Sequence, residues 1–494
     1  MPTMFDKLGS FFAGSGRIAT IDAAKAAPPP SPLAPIDLTQ YSQVAAVMDL
    51  AARIGDILLS SGTSNSDTKA QIHAVNSAYG LHYCHVDITM NTITIFAHMG
   101  ENRKTPVSVF RVVRSMTTDF SKLSEVDRLI RSIQAGATPP ETAEKILDEL
   151  ATKPAQYGTL TAIGGWGLMG GSISVMLGGG WLVAITAFFT SILIMSMNTW
   201  LSRKQLPVFF QNVFGGVVAT VPAALIYSVA ADFGIRVSPS QTIASGIIVL
   251  LAGLTLVQSL QDGITNAPVT ASARFFETML FTGAIVAGVG IGIQISSLLG
   301  ISLPLLETGT LPNFASSTVR VFSGATATVG FAIASYAEWS SVVIAWLTAV
   351  AGSVFYYFIL LPAGSGTVIA ASVAAVVIGL AGGLLARRFL IPPLITAIAG
   401  ITPFLPGLSV YQGMYAAMHE QMLTGFTNIA TALAVACGLA AGVVLGEWVA
   451  RRLRRPPILN PYRYFRVAGR QTFQQIALHQ KQHSKRRVRK APPK

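Results

Sequence analysis

The chain has 494 residues, 51% of them apolar and 12% charged, about half the charge fraction of an ordinary soluble protein. Its apolar runs concentrate after Tyr157, which excludes a wholly soluble protein and describes a membrane protein with a soluble front end. The formal charge of +13 does not describe a nucleic-acid surface: fourteen Lys and Arg fall between Val449 and Lys494 with no acid, leaving 21 basic against 22 acidic residues elsewhere.

In chain order, residues 1–38 end in "APPPSPLAPID" and read as a disordered lead with no signal-peptide core. "YSQVAAVMDLAARIGDILLSSG" from Tyr41 and "SNSDTKAQIHAVNSAYG" after it carry helical periodicity and end on glycine. The period then changes, and "YCHVDIT", "NTITIFAHM" and "PVSVFRVV" read as three short strands. "SKLSEVDRLIRSIQAG", with Ser121 and Ser124 as caps, and "PPETAEKILDELA", opened by proline, are two further helices. These pieces predict a small α+β domain over 40–155, and nothing in the sequence directs it across a membrane. His82, Cys84, His85 and Asp87 lie close together, but strand alternation sends 83, 85 and 87 to one face and 82 and 84 to the other. No metal site is expected. Cys84 and Cys437 are too few for a disulfide framework.

Ten apolar spans follow, at about 158–179, 181–200, 208–230, 241–261, 276–298, 317–336, 339–361, 365–386, 391–416 and 424–446, most near the roughly 20 residues needed to cross hydrocarbon. With the front domain inside, the inner connections receive Arg203, Lys204, Arg274, Arg387, Arg388 and the basic tail 449–494. The outer ones hold Arg236 and Arg320. This agrees with the positive-inside rule and places both termini in the cytoplasm, the tail contacting anionic lipid. Five spans and five give halves of opposite orientation, 158–298 and 317–446, so the expected fold class is a polytopic helical membrane protein built of two five-helix inverted repeats behind an α+β domain. Small-residue faces pack helices within or between protomers, which leaves a homo-oligomer open.

The polar residues of the spans are the candidate site. "LVQSLQDGITNAPVTASARFFE" places Gln258, Gln261, Asp262 and Asn266 at the end of span four. A carboxylate there is a candidate for proton relay or for holding a substrate ammonium, or else a helix terminator before Gly263 and Pro268. Arg274 and Glu277, three apart, read as an interfacial ion pair. In span nine Pro403, Pro406 and Gly407 predict a broken helix, with Tyr411 and Gln412 after it. Span four lacks matching prolines. No phosphate-binding loop, nucleophile elbow or HExxH motif occurs, so neither an enzyme nor a cofactor is expected. A channel or a sensor with a cytoplasmic regulatory domain is the alternative class.

"GLTLVQSLQDGITNAPVTASARFFETMLFTG", "SSGTSNSDTKAQIHAVNSAYGLHYCHVDITMNTITIFA" and "VVRSMTTDFSKLSEVDRLIRSIQAG" resemble the threonine/serine exporter family of bacterial inner membranes, over about 40–450. The resemblance implies a cytoplasmic domain followed by ten spans and export of L-threonine and L-serine, or of other small amino acids or metabolites, driven by the proton motive force. The family's Asp-Gly region looks like Gln261-Asp262-Gly263 here, followed by Arg274; Gly263 is the corresponding expected hinge. Its Pro-Gly step in the second half looks like Pro406-Gly407. A Pro-Gly step common in the first half is replaced here by Leu256-Val257-Gln258.

Overall fold

The structure, a computed structural model, describes residues 36–37, 40–99, 105–113, 119–136, 138–153, 155–233, 239–250, 253–301, 316–418 and 420–453. Arg236, the expected disordered lead apart from Ile36 and Asp37, and the basic tail beyond Leu453 lie outside the described residues. The chain separates into two compact units.

The first unit begins with α1 (Tyr41–Ser60) and α2 (Asn65–Ala78), followed by an antiparallel sheet in the order β1 (Cys84–Thr89), β2 (Thr92–Met99), β3 (Thr105–Val112). The Ser64 hydroxyl accepts the Asp67 amide and caps α2, and Gly80 ends it at φ 101°. Strand alternation puts Val86, Ile93, Ile95, Ala97 and Val107 on one buried face, which α1 covers with Met48, Ile54 and Leu58. Arg111 shares that face and pairs with Asp56 of α1 at 2.8 Å and with Asp49 at 3.7 Å. α3 (Phe120–Gln134) and α4 (Pro140–Thr152) complete the unit's elements; Arg53 of α1 pairs with Asp148 of α4.

Cys84 is part-buried and His85, next to it, is exposed. The Cys84 sulfur lies 3.4 Å from Asn76 Nδ2 and 3.5 Å from His73 Nδ1. Burial pushes the thiol up, against a smaller opposing effect of the Asn76 hydrogen bond. Burial, with the charges of Lys69 and His85, pushes the His73 imidazole down. Both shifts favour the neutral thiol and neutral ring, the reverse of an activated thiolate–imidazolium pair.

The second unit is helical. Its elements are α5 (Thr159–Met176), α6 (Trp181–Arg203), α7 (Val208–Asp232), α8 (Pro239–Ile247), α9 (Gly253–Ile264), α10 (Pro268–Leu298), α11 (Ser317–Ala334), α12 (Trp339–Val354, continued by a π-helical turn Phe355–Leu360), α13 (Thr367–Phe389), α14 (Pro393–Ile401, continued by a 3₁₀ turn Thr402–Phe404), α15 (Gly407–Met418) and α16 (Met422–Leu453). Among the described residues, six helices are long and apolar enough to cross a membrane: α6, α7, α10, α12 with its continuation, α13 and α16. α14 and α15 together make a seventh candidate, bent by 46°. Ten were expected. α5 and α11, diluted by Gly, Ser and Thr, fall short in apolar character, and the fourth expected span is interrupted between Ile247 and Gly253.

Close packing rests on glycine. α7 and α10 approach so nearly that a Cβ on Gly288 would lie 2.1 Å from the Val213 carbonyl oxygen. One on Gly446 of α16 would lie 2.4 Å from the Val376 oxygen of α13, and α5 and α11 interlock at Gly165 and Gly330.

A further regularity concerns the interrupted helices. The same 154-residue interval separates Pro239 from Pro393, Ile247 from Ile401 and Gly253 from Gly407, the bounds of α8 against α14 and the starts of α9 and α15. It also separates the two left-handed residues that follow, Asn266 (φ 67°) and Glu420 (φ 64°). The same holds for the hydrogen bonds that close both turns, Ala267 N–H to the Asp262 oxygen at 2.8 Å and Gln421 N–H to the Ala416 oxygen at 3.0 Å.

Two measurements test this packing and the cysteine environment. Gly288→Ala is expected to lose about 1–3 kcal/mol of stability in detergent through overpacking, whereas Gly290→Ala, with nothing within 4 Å of the new Cβ, leaves the melting temperature unchanged. In a Cys437→Ala background, Cys84 should alkylate more slowly than a free thiol at pH 7 and speed up only above the ordinary thiol range near about 8.5. Fast alkylation at neutral pH would contradict the burial of the thiol.

Candidate functional site

α9 and α10 form a hairpin closed by Thr265, Asn266 and Ala267. The turn is a left-handed helix end. Asn266 takes the positive φ that asparagine tolerates better than most residues, its N–H reaching the Gly263 oxygen, while Ala267 N–H reaches back to Asp262. Pro268 then opens α10, where a missing N–H costs nothing.

Three polar contacts join the two helices. Thr255 Oγ1 and Thr278 Oγ1 are 3.0 Å apart, Ser259 Oγ donates to the Ala271 carbonyl at 2.8 Å, and Arg274 Nη1 donates to Asp262 Oδ2 at 2.6 Å. Thr255, Ser259 and Asp262 recur at helical spacing along α9, as Thr270, Arg274, Thr278 and Thr282 do along α10. That Ser/Thr periodicity was a readable signal, and attention to charges and amides alone misses it. Thr278 and Thr282 also bond the carbonyl one turn back in their own helix, so these hydroxyls add no unmet polarity.

Asp262 is 1% exposed and Arg274 7%. Two such groups are tolerable away from water because each compensates the other. Removing one partner of a buried pair leaves an isolated charge, at about 3–5 kcal/mol. One expectation is corrected here. Arg274 does not pair with Glu277, three residues along on a less buried face; the hairpin brings Asp262 within reach instead. Gly263, the expected hinge, lies in the last turn of α9, and the interruption of the span is elsewhere, before Gly253.

The second cluster lies at the two interruptions. After α14, Pro403 sits in the 3₁₀ turn, Leu405 is extended, Pro406 contributes no N–H and Gly407 starts α15. In the first half, a turn at Ile248–Leu250 follows α8 without any proline. The two places meet: a Cβ on Gly253 would lie 2.9 Å from the Gly407 amide nitrogen and 3.2 Å from the Leu405 side chain. Tyr411 and Tyr415 follow on α15 with ring centroids 6.0 Å apart. Tyr411 is buried, and its hydroxyl has no hydrogen-bond partner among the described residues. Gln258, Gln261 and Gln412 are half-buried on α9 and α15, and Asn266 is exposed. Asp262 and Arg274 are thus brought together, while Tyr411 and the Pro403–Gly407 step form a separate group. Among the described residues, no three His, Cys, Asp or Glu side chains converge on a point that could hold a metal.

The chain matches two family profiles, one described as "Putative threonine/serine exporter" over residues 49–296 and the other as "Threonine/Serine exporter, ThrE" over residues 320–449. It is 64% identical over 483 residues to a protein of Corynebacterium glutamicum named "Threonine/serine exporter", covering 98% of each chain. It is 37% identical over 415 residues to one of Mycobacterium tuberculosis named "Probable threonine/serine exporter", covering 83% of this chain and 77% of that one. No solved structure matches it. Buried charge inside a bundle of apolar helices and matches along nearly the whole chain agree: the chain belongs to the threonine/serine exporter family of membrane transport proteins, not to a family of enzymes.

Proposed function

We propose that the protein exports L-threonine and L-serine from the cytoplasm through the inner membrane by exchange for protons. The observation that carries this reading is the buried Asp262–Arg274 pair at the end of α9. An intramembrane carboxylate can hold a guanidinium, a substrate ammonium or a proton, but only one of them fully at a time. In the resting carrier Arg274 occupies it. An amino acid arriving from the cytoplasm presents an ammonium that competes for Asp262. A proton arriving from the outside neutralises Asp262 and removes that attraction. Mutual exclusion at one carboxylate turns the inward proton gradient into outward amino-acid movement. The substrates come from the names of the relatives; the exchange comes from the pair.

The architecture we propose has ten spans in two five-helix halves of opposite orientation, with α5, α11 and the α8–α9 segment added to the apolar spans. The 154-residue interval supports it, because it relates helix starts, left-handed turns and turn hydrogen bonds together. So do the packed pairs, since α7 with α10 and α13 with α16 are the third and fifth helices of each half, and α5 with α11 the first of both. In this reading the 40–155 domain and both termini are cytoplasmic, and the basic tail lies against anionic lipid.

Reconstituted Asp262→Asn is expected to bind threonine and to lose the dependence of threonine flux on an imposed pH gradient; flux that still follows the gradient would sink the coupling role. Arg274→Gln should lose about 3–5 kcal/mol of stability in detergent by stranding Asp262. The double variant Asp262→Asn/Arg274→Gln should recover most of that loss. Equal losses in single and double variants would show that the pair is not the stabilising unit.

A further inference from the structure

The interruptions and Asp262 are different places. Nine residues of α9 separate Gly253 from Asp262, roughly 13 Å at 1.5 Å per residue, farther than one small amino acid spans. A substrate held at the interruptions therefore does not touch Asp262, and the coupling pair leaves its recognition unexplained.

Each interruption ends one helix and starts another, so carbonyls at the ends of α8 and α14 and amides at the starts of α9 and α15 lack a partner within their own helix; the Ile247 carbonyl accepts the Leu250 amide and the Thr402 carbonyl the Leu405 amide. Amides at helix starts suit a carboxylate and carbonyls at helix ends suit an ammonium, so the main-chain atoms of an amino acid would find both complements beside the Gly253–Gly407 contact, which itself has no room for a methyl. That arrangement does not choose among side chains. Tyr411 does. It lies one turn into α15, and side chains on a helix lean toward its start. Its ring belongs to the buried cluster that also contains Val249, from the turn of the opposite interruption, and Ile285 and Val289 of α10, with Ile248 and Leu250 partly buried against it. Its hydroxyl is buried and has no partner, a condition costing about 1–3 kcal/mol that a ligand would relieve.

We propose that Tyr411 is the specificity-determining residue of a substrate station at the two interruptions, where its hydroxyl pairs with the side-chain hydroxyl of the amino acid and the surrounding aliphatic groups receive the methyl. An apolar subsite with one hydroxyl complements a side chain made of one methyl and one hydroxyl, and a phenol can both donate and accept. The inference rests on the threonine and serine reading and adds the residue that reads the hydroxyl. A site built around a hydrogen bond discriminates against an isostere lacking it, because its own polar group stays unpaired.

The test is competition between threonine and its isostere valine for counterflow into proteoliposomes, with the intact protein and Tyr411→Phe, at equal pH on both sides. The wild type is expected to prefer threonine by about tenfold or more, the worth of one hydrogen bond at 1.4 kcal/mol. Tyr411→Phe should bring that ratio close to one through a loss on threonine, with valine little changed. Its melting temperature in detergent should equal or exceed the wild-type value, because the hydroxyl removed has no partner among the described residues. An unchanged threonine-to-valine ratio would overturn the proposal. So would equal loss of both substrates, or a lower melting temperature, which would make the hydroxyl a structural group. A wild type that moves threonine without protons defeats the coupling reading and leaves this test standing; a wild type that moves no threonine defeats both.

Discussion

Peptide groups in hydrocarbon have no water to bond, so a helix that stops inside a membrane needs other backbone or protein around it. In the proposed architecture this chain stops two such helices, after Ile247 and around Thr402–Pro406, and the packing of the bundle suits it. The interruptions support one another where Gly253 and Gly407 meet, a contact that admits no side chain on Gly253 without displacing the Gly407 backbone. α9 packs on α16 and α10 on α15, so each resumed helix lies against the long helix of the other half. The glycine contacts between α7 and α10 and between α13 and α16 hold those long helices in register. Close helix packing and the two interruptions are one design: without the first, the second would leave backbone groups unpaired.

The same constraint governs charge. Asp262 and Arg274 lie on consecutive helices, and the three-residue turn between them decides that they meet. A longer connection would let α10 rotate or slide and leave two isolated charges. Asn266 at positive φ and Pro268 at the start of α10 fix the connection at its short length. The ion pair therefore depends on turn chemistry as much as on its own attraction.

Much of this was legible in the sequence, at the level where local rules decide. Alternation locates the three strands to within a residue or two, because a half-buried sheet demands it. Pro403, Pro406 and Gly407 announce the second interruption through missing N–H groups and backbone freedom. The first has no proline, since what stabilises it is a glycine 154 positions away, and no local pattern carries a tertiary contact. The partner of Arg274 was misread for a related reason. Spacing of three suggests Glu277 on the same helix, but the hairpin offers a more buried carboxylate from the preceding one, and burial decides. α5 and α11 fall short of the expected spans because the Gly, Ser and Thr that serve their close packing lower their apolar character. The unpartnered Tyr411 hydroxyl is visible only once its neighbours are known.

Taken as repeats, the two halves share a backbone plan but not a chemistry. At the 154-residue interval Gln258 corresponds to Gln412, whereas Asp262 corresponds to Ala416 and Val257 to Tyr411. One half carries the carboxylate and lacks the phenol; the other carries the phenol and lacks the carboxylate. If the halves are inverted repeats, as proposed, opening toward either side would expose an equivalent backbone arrangement, and the fold by itself would set no strong bias between the two. The bias then has to come from what is not duplicated. Asp262 stands at one end of one resumed helix, about 13 Å from the interruption. On the proposed exchange, its occupancy by Arg274, ammonium or proton would change the energy of opening at that end. The Tyr411 hydroxyl, by contrast, lies on α15 in the other half, apart from that pair. On the proposed reading, separating the two groups by most of the length of α9 would let selectivity and coupling change independently, which a single shared site would not allow.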